Sequence, residues 1–445
     1  MKQNTRKIMI LSTLLLISVV LLANVISGLG GGIVHAASVT TFSNTYGGSG
    51  DEQANSVIQT SDGGYALAGW TDSYGNGYYN FWLVKTDSQG NQKWAQAYGD
   101  SGDSEAYSVV QTSDGGYALA GYTNSTGAGI YSFWLVKTDS NGNMQRSKTY
   151  GGSGDNEAYS MIQTSDGGYA LAGYTTSSGT GGRQFLLVKI DSNGNMIWNQ
   201  TYGEAGDSEA YSVIQTSDGG YAIAGSTDSA GAGGNDFYLV KVNANGAMEW
   251  NQTYGGSGDD YAYSVVQSSD GGYALAGSTF SFSDGYDNFW LVKTDSNGNM
   301  LWNQTYDGGS DSSANSLIQT SDSGYALAGS MQSSSGEAYW LVKTDANGDA
   351  QWNQTYGGSG DNYAISLIQT SDGGYALAGF TDASGAGGYD FYLVKTTSNG
   401  ATSTSSAFSW DSLEGLLIIG AIVVILVGVI LFIITRTRKP TTFPH

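Results

Sequence analysis

Ser269-Asp270-Gly271-Gly272-Tyr273-Ala274-Leu275-Ala276-Gly277 recurs almost unchanged seven times, with its aspartate at Asp62, Asp114, Asp166, Asp218, Asp270, Asp322 and Asp372. The step is 52 residues five times and 50 once, and a fixed period of that size marks a repeat architecture. Asp-Gly and Gly-Gly accept positive φ and favour tight hairpin turns, so a strand should enter the turn and another should leave it. The entering run is Ala262-Tyr263-Ser264-Val265-Val266-Gln267. The leaving run alternates bulky Tyr273 and Leu275 with small Ala274 and Ala276, which gives one bulky and one shallow face. Stacked units can then seat a bulky face on the neighbour's shallow one.

Outward from there, Phe289-Trp290-Leu291-Val292-Lys293-Thr294 is apolar on both faces until its lysine, as befits a strand between two sheets. The turn Asp295-Ser296-Asn297-Gly298-Asn299 leads to Leu301-Trp302-Asn303-Gln304-Thr305-Tyr306. Four antiparallel strands in about 50 residues make one propeller blade. The fold class is therefore all-β, a seven-bladed β-propeller. The seventh unit stops after Phe391-Tyr392-Leu393-Val394-Lys395 without a fourth strand, while Phe42-Ser43-Asn44-Thr45-Tyr46-Gly47 near the amino end matches Trp250-Asn251-Gln252-Thr253-Tyr254-Gly255. That amino-terminal strand should complete the last blade and close the ring, leaving no blade face unpaired.

The succession Gly255-Gly256-Ser257-Gly258-Asp259-Asp260, Gly272 to Gly277, Phe289 to Lys293 and Asn297-Gly298 before an aromatic strand resembles the seven-bladed β-propeller repeat (SBBP-type) family of exported bacterial and archaeal surface proteins, over roughly residues 41–400. The resemblance implies a fold and an extracellular setting, and no shared activity. Two departures stand out: Arg146 where other units have Trp, and Asp322-Ser323-Gly324 in the sixth turn.

Residues 1–37 read as a secretory signal: Lys2, Arg6 and Lys7, then a largely apolar run, then small residues for cleavage near Ala36 or Ala37. An uncleaved anchor is the rival, and either one exports the propeller. After the propeller (38–400) comes a Ser/Thr-rich linker (401–414). Residues 415–434 are uncharged and apolar, long enough for one transmembrane helix. Arg436, Arg438 and Lys439 come next, so the tail 435–445 should be cytoplasmic.

The −22 formal charge opposes phosphate backbones, so nucleic acid is not expected as a partner. There is no cysteine, and the two histidines are His35 and His445. Ser-His-Asp and Cys-His catalysis and His- or Cys-built zinc sites are thereby excluded from the propeller.

Seven lysines recur at one blade position: Lys85, Lys137, Lys189, Lys241, Lys293, Lys343 and Lys395. They form either a ring for an anion or a structural set, each paired with a repeated carboxylate, and a buried lysine requires such a partner. The structural role is preferred. The Gly-Gly-Ser-Gly-Asp connections carry Asp51, Asp103, Asp155, Asp207, Asp259, Asp311 and Asp361, with Glu52, Glu105, Glu157, Glu209 and Asp260 nearby. Such oxygens could hold Ca²⁺, the one cofactor considered; capping of local amides is the alternative. Glycosylation sequons stand at Asn124, Asn199, Asn251, Asn303 and Asn353.

Function is expected where the copies differ, in the connections between second and third strands, on the same face as the acidic turns. Tyr74, Tyr78, Tyr79, Tyr131, Phe280, Phe282, Tyr286 and Tyr389 lie there. Aromatics beside carboxylates suit a sugar or a protein partner; packing at blade junctions is the other role open to them. The expectation is a membrane-anchored binding or adhesion module with a cell-surface glycan or protein ligand, not an enzyme. A carboxylate-based glycoside-active enzyme and a purely structural envelope protein are the alternatives.

Overall fold

The computed structural model describes residues 40–402, except 77, 126–129 and 179–180. Seven four-stranded antiparallel sheets follow one another along the chain. The fifth blade contains Asp260–Gln267, Tyr273–Thr279, Asn288–Thr294 and Met300–Tyr306. The last blade takes its fourth strand from the amino end, where Phe42–Tyr46 pairs antiparallel with Asp390–Thr396, Phe42 opposite Lys395 and Tyr46 opposite Phe391. The expected closure is present. The expected signal segment (1–37), nearly all of the linker (401–414), the expected membrane helix at 415–434 and the expected cytoplasmic tail (435–445) lie outside the described residues. Among those described, no helix is long and apolar enough to cross a membrane.

Alternation along the second and third strands builds the core. Ala274, Ala276, Phe289 and Leu291 of the fifth blade pack on Tyr325, Leu327, Trp340 and Val342 of the sixth. The opposite face, with Tyr273, Leu275, Trp290 and Val292, packs on Ala222, Ala224, Phe237 and Leu239 of the fourth. The same arrangement joins blade seven to blade one through Ala376, Ala378, Phe391 and Leu393 against Tyr65, Leu67, Trp82 and Val84. Fully burying each large side chain contributes about 1.5–3 kcal/mol.

Polar links lock each junction. The Tyr254 hydroxyl donates to the Gly298 carbonyl of the next blade at 2.6 Å, and Tyr46 closes the ring by donating to Gly90 at 2.6 Å. Gly298 is needed there twice over. Its φ is +80°, and a Cβ would sit 2.6 Å from the Trp250 ring. Each repeated lysine is held by the aspartate of its own Asp-Gly turn, from Lys85–Asp62 at 2.9 Å to Lys395–Asp372 at 3.0 Å, and Lys293 also donates to the Thr294 carbonyl at 2.8 Å. Partial burial raises the Asp166 carboxyl, yet hydrogen bonds from Lys189 and Thr164 outweigh it and hold it at about 2. With every lysine tied to its turn, this ring offers an anion no open cation.

The Asp-Gly-Gly hairpin places its first glycine at positive φ, as at Gly271 with +86°. In the sixth blade Ser323 takes that position at φ +68°, the one non-glycine residue at positive φ among those described. A left-handed L-residue costs about 1–2 kcal/mol, partly offset by glycine's greater unfolded-state entropy. Ser323→Gly should therefore raise stability by about 0.5–1 kcal/mol, read from denaturant midpoints. An unchanged or lowered midpoint would mean that the serine is unstrained.

Candidate functional site

The first strand of each blade lies innermost and touches its neighbours' first strands around a central channel. Every copy carries the same irregularity. In the fifth blade Ala262 pairs with Gly277 and Ser264 with Ala276, so Tyr263 has no partner across the ladder. Such a β-bulge bends the strand and re-aims one side chain. Ala262 and Val265 thereby share the core-facing side although three residues apart, and Tyr263 lines the channel mouth. The close approach needs Gly277: a Cβ there would lie 1.7 Å from the Tyr261 carbonyl oxygen.

The bulge residue is not constant: Asn55, Tyr107, Tyr159, Tyr211, Tyr263, Asn315 and Ile365, a run of four tyrosines flanked by Asn and Ile. Two residues earlier stand Gln53, Glu105, Glu157, Glu209, Tyr261, Ser313 and Tyr363. Their cross-strand partners are Trp70, Tyr122, Tyr174, Ser226, Ser278, Ser330 and Phe380. The set is completed by Tyr79, Tyr131, Arg183, Asn235, Asp287 and Tyr389, each just before its third strand, and by Glu337, the second residue of the strand Gly336–Thr344. Many of these side chains line a cavity of about 420 Å³ at the mouth, on the face that carries the acidic turns.

Half of that mouth is aromatic and acidic. Tyr107, Tyr159, Tyr211 and Tyr263 stand ring to ring, with centroids 5.0, 5.5 and 5.2 Å apart. Hydroxyls of Tyr107, Tyr159 and Tyr211 donate to Glu105, Glu157 and Glu209 at 3.0, 2.8 and 2.9 Å, and Tyr174 donates to Glu157 at 2.6 Å. Burial pushes the Glu105 carboxyl up; Tyr122 and Tyr107 oppose this by hydrogen bonding, while Glu157 and Asp103 add to it. Arg183 pairs with Glu209, its guanidinium carbon 4.7 Å from the Tyr174 ring centroid. The other side is quieter: Asn55 and Asn315 donate to the Ala106 and Ala364 carbonyls of the next blade at 2.9 and 2.8 Å.

The eight aromatics singled out from sequence do not form one group. Tyr79, Tyr131 and Tyr389 come beside the mouth, packed against Trp70, Tyr122 and Phe380 at 4.4, 5.1 and 4.9 Å, and of these six Phe380 lines its cavity. Tyr74 and Phe282 instead cover tryptophans at blade junctions, Trp82 at 5.5 Å and Trp290 at 5.1 Å. Tyr78 lines a separate open hollow with Ile130 and Asp103, and Phe280 and Tyr286 are exposed on their loop. Asn124, Asn199, Asn251, Asn303 and Asn353 are all exposed, the last four on outermost strands.

The acidic turns are also divided by the fold. Asp103, Asp207 and Asp259 accept the backbone N–H of Tyr79, Arg183 and Asn235 at 3.4, 2.8 and 2.8 Å. The amides they cap belong to the preceding blade and not to their own turn. Glu52 and Asp260 begin their strands fully buried, whereas Glu105, Glu157 and Glu209, one position further on, turn toward the channel. Alternation thus separates acids adjacent in sequence. Among the described residues no group of three acids or histidines could hold a metal ion.

Most of the mouth residues were not singled out from sequence. A signal existed: the residue between the repeated Ala and Ser of the first strand varies while its neighbours do not. Its orientation is set by the bulge, which period-two alternation does not contain.

No family model matches the sequence, and no curated protein matches it. Among solved structures the chain is similar to the Neurospora crassa Pan2 WD40 domain, at 11% identity over 77% of this chain and 88% of that one, with a TM-score of 0.49. It is also similar to the polysaccharide lyase Uly1, at 11% over 77% and 90%, TM-score 0.48, and to Sqt1 of Chaetomium thermophilum, at 12% over 79% and 96%, TM-score 0.47. The propeller rests on the strand pairing above, and no activity passes from these proteins to this chain.

Proposed function

We propose that the protein is a binding module that takes its ligand over the channel mouth, and that it does so at the cell surface. In this proposal the helix at 415–434 anchors the propeller outside the membrane, after export directed by residues 1–37. A protein or glycan of that surface is the partner class. One observation carries the proposal: within the otherwise near-identical first strands, the side chains that vary from blade to blade converge on one cavity. A rigid scaffold with variable residues at a single concave site suits recognition. The sequons on the outer strands lie at the rim, where glycans would leave the mouth open.

The test uses the full-length protein in detergent against immobilised surface glycans and surface proteins. Tyr159→Ala together with Tyr211→Ala should weaken binding at least about tenfold, since buried aromatics dominate such contacts. Tyr78→Ala and Phe282→Ala should stay within about twofold. The reverse pattern would move the site to the outer loops. Glu105, a carboxyl pushed up by burial and hydrogen-bonded by Tyr107 of the cavity wall, favours one second proposal, a glycoside-active enzyme. Sugar hydrolysis lost in Glu105→Gln would establish it.

A further inference from the structure

The end of the propeller opposite the mouth carries an apolar band along its rim. Where the fourth strand begins, blades two to five present Met144, Met196, Met248 and Met300, with Ile197 and Leu301 next in blades three and five. All six are between 47 and 59% exposed. The turn before each methionine rests on the preceding blade: a Cβ on Gly246 or Gly298 would lie 2.9 or 2.6 Å from the rings of Trp198 and Trp250, two residues beyond Met196 and Met248. Single exposed apolar residues are ordinary, whereas a run of them around one sector marks an interaction surface.

Both ends of the described chain lie at that same end. The third strand of blade seven finishes at Thr396 and turns as in the other blades, the Thr397 amide donating to the Ala401 carbonyl at 2.9 Å. The strand that completes the blade starts at Phe42, opposite Lys395. Residues 403–414 separate the turn from the apolar run at 415–434, and fully extended they reach at most about 45 Å.

We infer that this end of the propeller seats on a lipid bilayer, its methionine rim entering the interface and the mouth opening away from it. This rests on the anchor proposed above at 415–434. An anchor so close to the exit turn brings that end to the membrane first. A mouth-down pose would spend about half of the linker's reach on the height of a blade, about 23 Å for seven strand residues before loops are counted. Unbranched, polarizable methionine adapts to an uneven surface, and apolar side chains on a polar face settle at the headgroup–acyl boundary. Asp139, Asp191 and Asp295 in the turns beside the methionines oppose an anionic surface, so the fit is to neutral headgroups.

The protein has no cysteine, so single labels are unambiguous. Full-length protein is placed in phosphatidylcholine vesicles containing lipid with a nitroxide near the headgroup. It is made without N-glycans, because Asn199, Asn251 and Asn303 donate to the sulfurs of Met196, Met248 and Met300 at 3.5, 3.4 and 3.5 Å. A fluorophore on Asn297→Cys, in the turn before Met300, should be quenched at least about threefold more than one on Ser257→Cys, in an acidic turn at the mouth. Ile197→Ser/Met248→Ser/Met300→Ser/Leu301→Ser changes exposed positions only and should cut the Asn297→Cys quenching at least about twofold. A propeller held near the membrane by its tether alone would keep that quenching. Equal quenching at the two labels, more at Ser257→Cys, or indifference to the serine changes would overturn the inference. Disulfide cross-linking between Met300→Cys copies in place of quenching would also overturn it, giving the band to a second copy. If quenching fails while the protein resists extraction at high pH, the anchor stands and the seat is wrong. If extraction releases the protein, the anchor itself is wrong and the seat falls with it.

Discussion

Asp390→Asn should make the protein more stable at pH 8 by up to about 3 kcal/mol and leave it nearly unchanged near pH 4. Asp390 of blade seven and Glu52 of blade one are both buried at the closing junction. Their carboxylates flank Gly47, whose Cβ would lie 1.7 Å from Asp390 Oδ1 and 2.4 Å from Glu52 Oε2. Glu52 already accepts from the Thr71 hydroxyl and the Gly48 amide, each at 2.7 Å. Burial above all, then the charges of Glu52 and Asp51, push the Asp390 carboxyl up to about 6, against the amide of Ala386. A folded-state pKa above the unfolded one means that the native protein holds the proton longer. The associated stability is complete below about pH 4 and lost as pH rises through 6. Asparagine keeps the neutral form at every pH, and Asn80 and Asn288 stand at the same place in blades one and five. Denaturant unfolding at pH 4 and pH 8 reads the difference, and parallel wild-type and variant profiles would show that Asp390 is ionised throughout. Asp236 and Asp260 repeat the arrangement at the junction of blades four and five, with Asp236 Oδ1 buried and lacking a hydrogen-bond partner. The turn aspartates act oppositely: Asp114, held at about 2 first by Lys137, contributes stability that is lost as pH falls below about 4.

Gly277→Ala should cost about 3 kcal/mol or more, because the clash is with backbone and cannot be relieved by a rotamer change. The added carbon would meet the Tyr261 carbonyl at 1.7 Å, forcing the first strand away from the second. For a domain of this size that lowers Tm by roughly 4 °C or more. Gly271→Ala is the control. Its Cβ would meet nothing within 4 Å, so its cost is the left-handed backbone alone, about 1 kcal/mol. A smaller loss at Gly277 than at Gly271 would show that the strand yields freely and the bulge is not held by the glycine. Flattening the bulge also withdraws Tyr263 from the mouth, so any ligand binding that Gly277→Ala retains should weaken.

Those two residues separate what was legible in the chain from what was not. The 52-residue period, the Asp-Gly hairpins, the large–small alternation of Tyr273 to Ala276 and the match of Phe42–Tyr46 to the missing last strand are local or periodic properties. Each follows from backbone preference and side-chain size along the chain, so sequence by itself determined blade, blade number and closure. Gly277 looked like part of an invariant packing strand, and its purpose appears only when a bulged neighbour passes within contact of its Cα. Glu52 and Glu105 looked like members of one acidic cluster, yet one caps a buried junction and the other faces the channel. Tyr74 and Tyr79, five residues apart in one loop, divide between a blade junction and the mouth. Only the tertiary structure could decide these, because the channel is made by seven strands far apart in the chain, and a one-residue bulge reverses which side chains reach it.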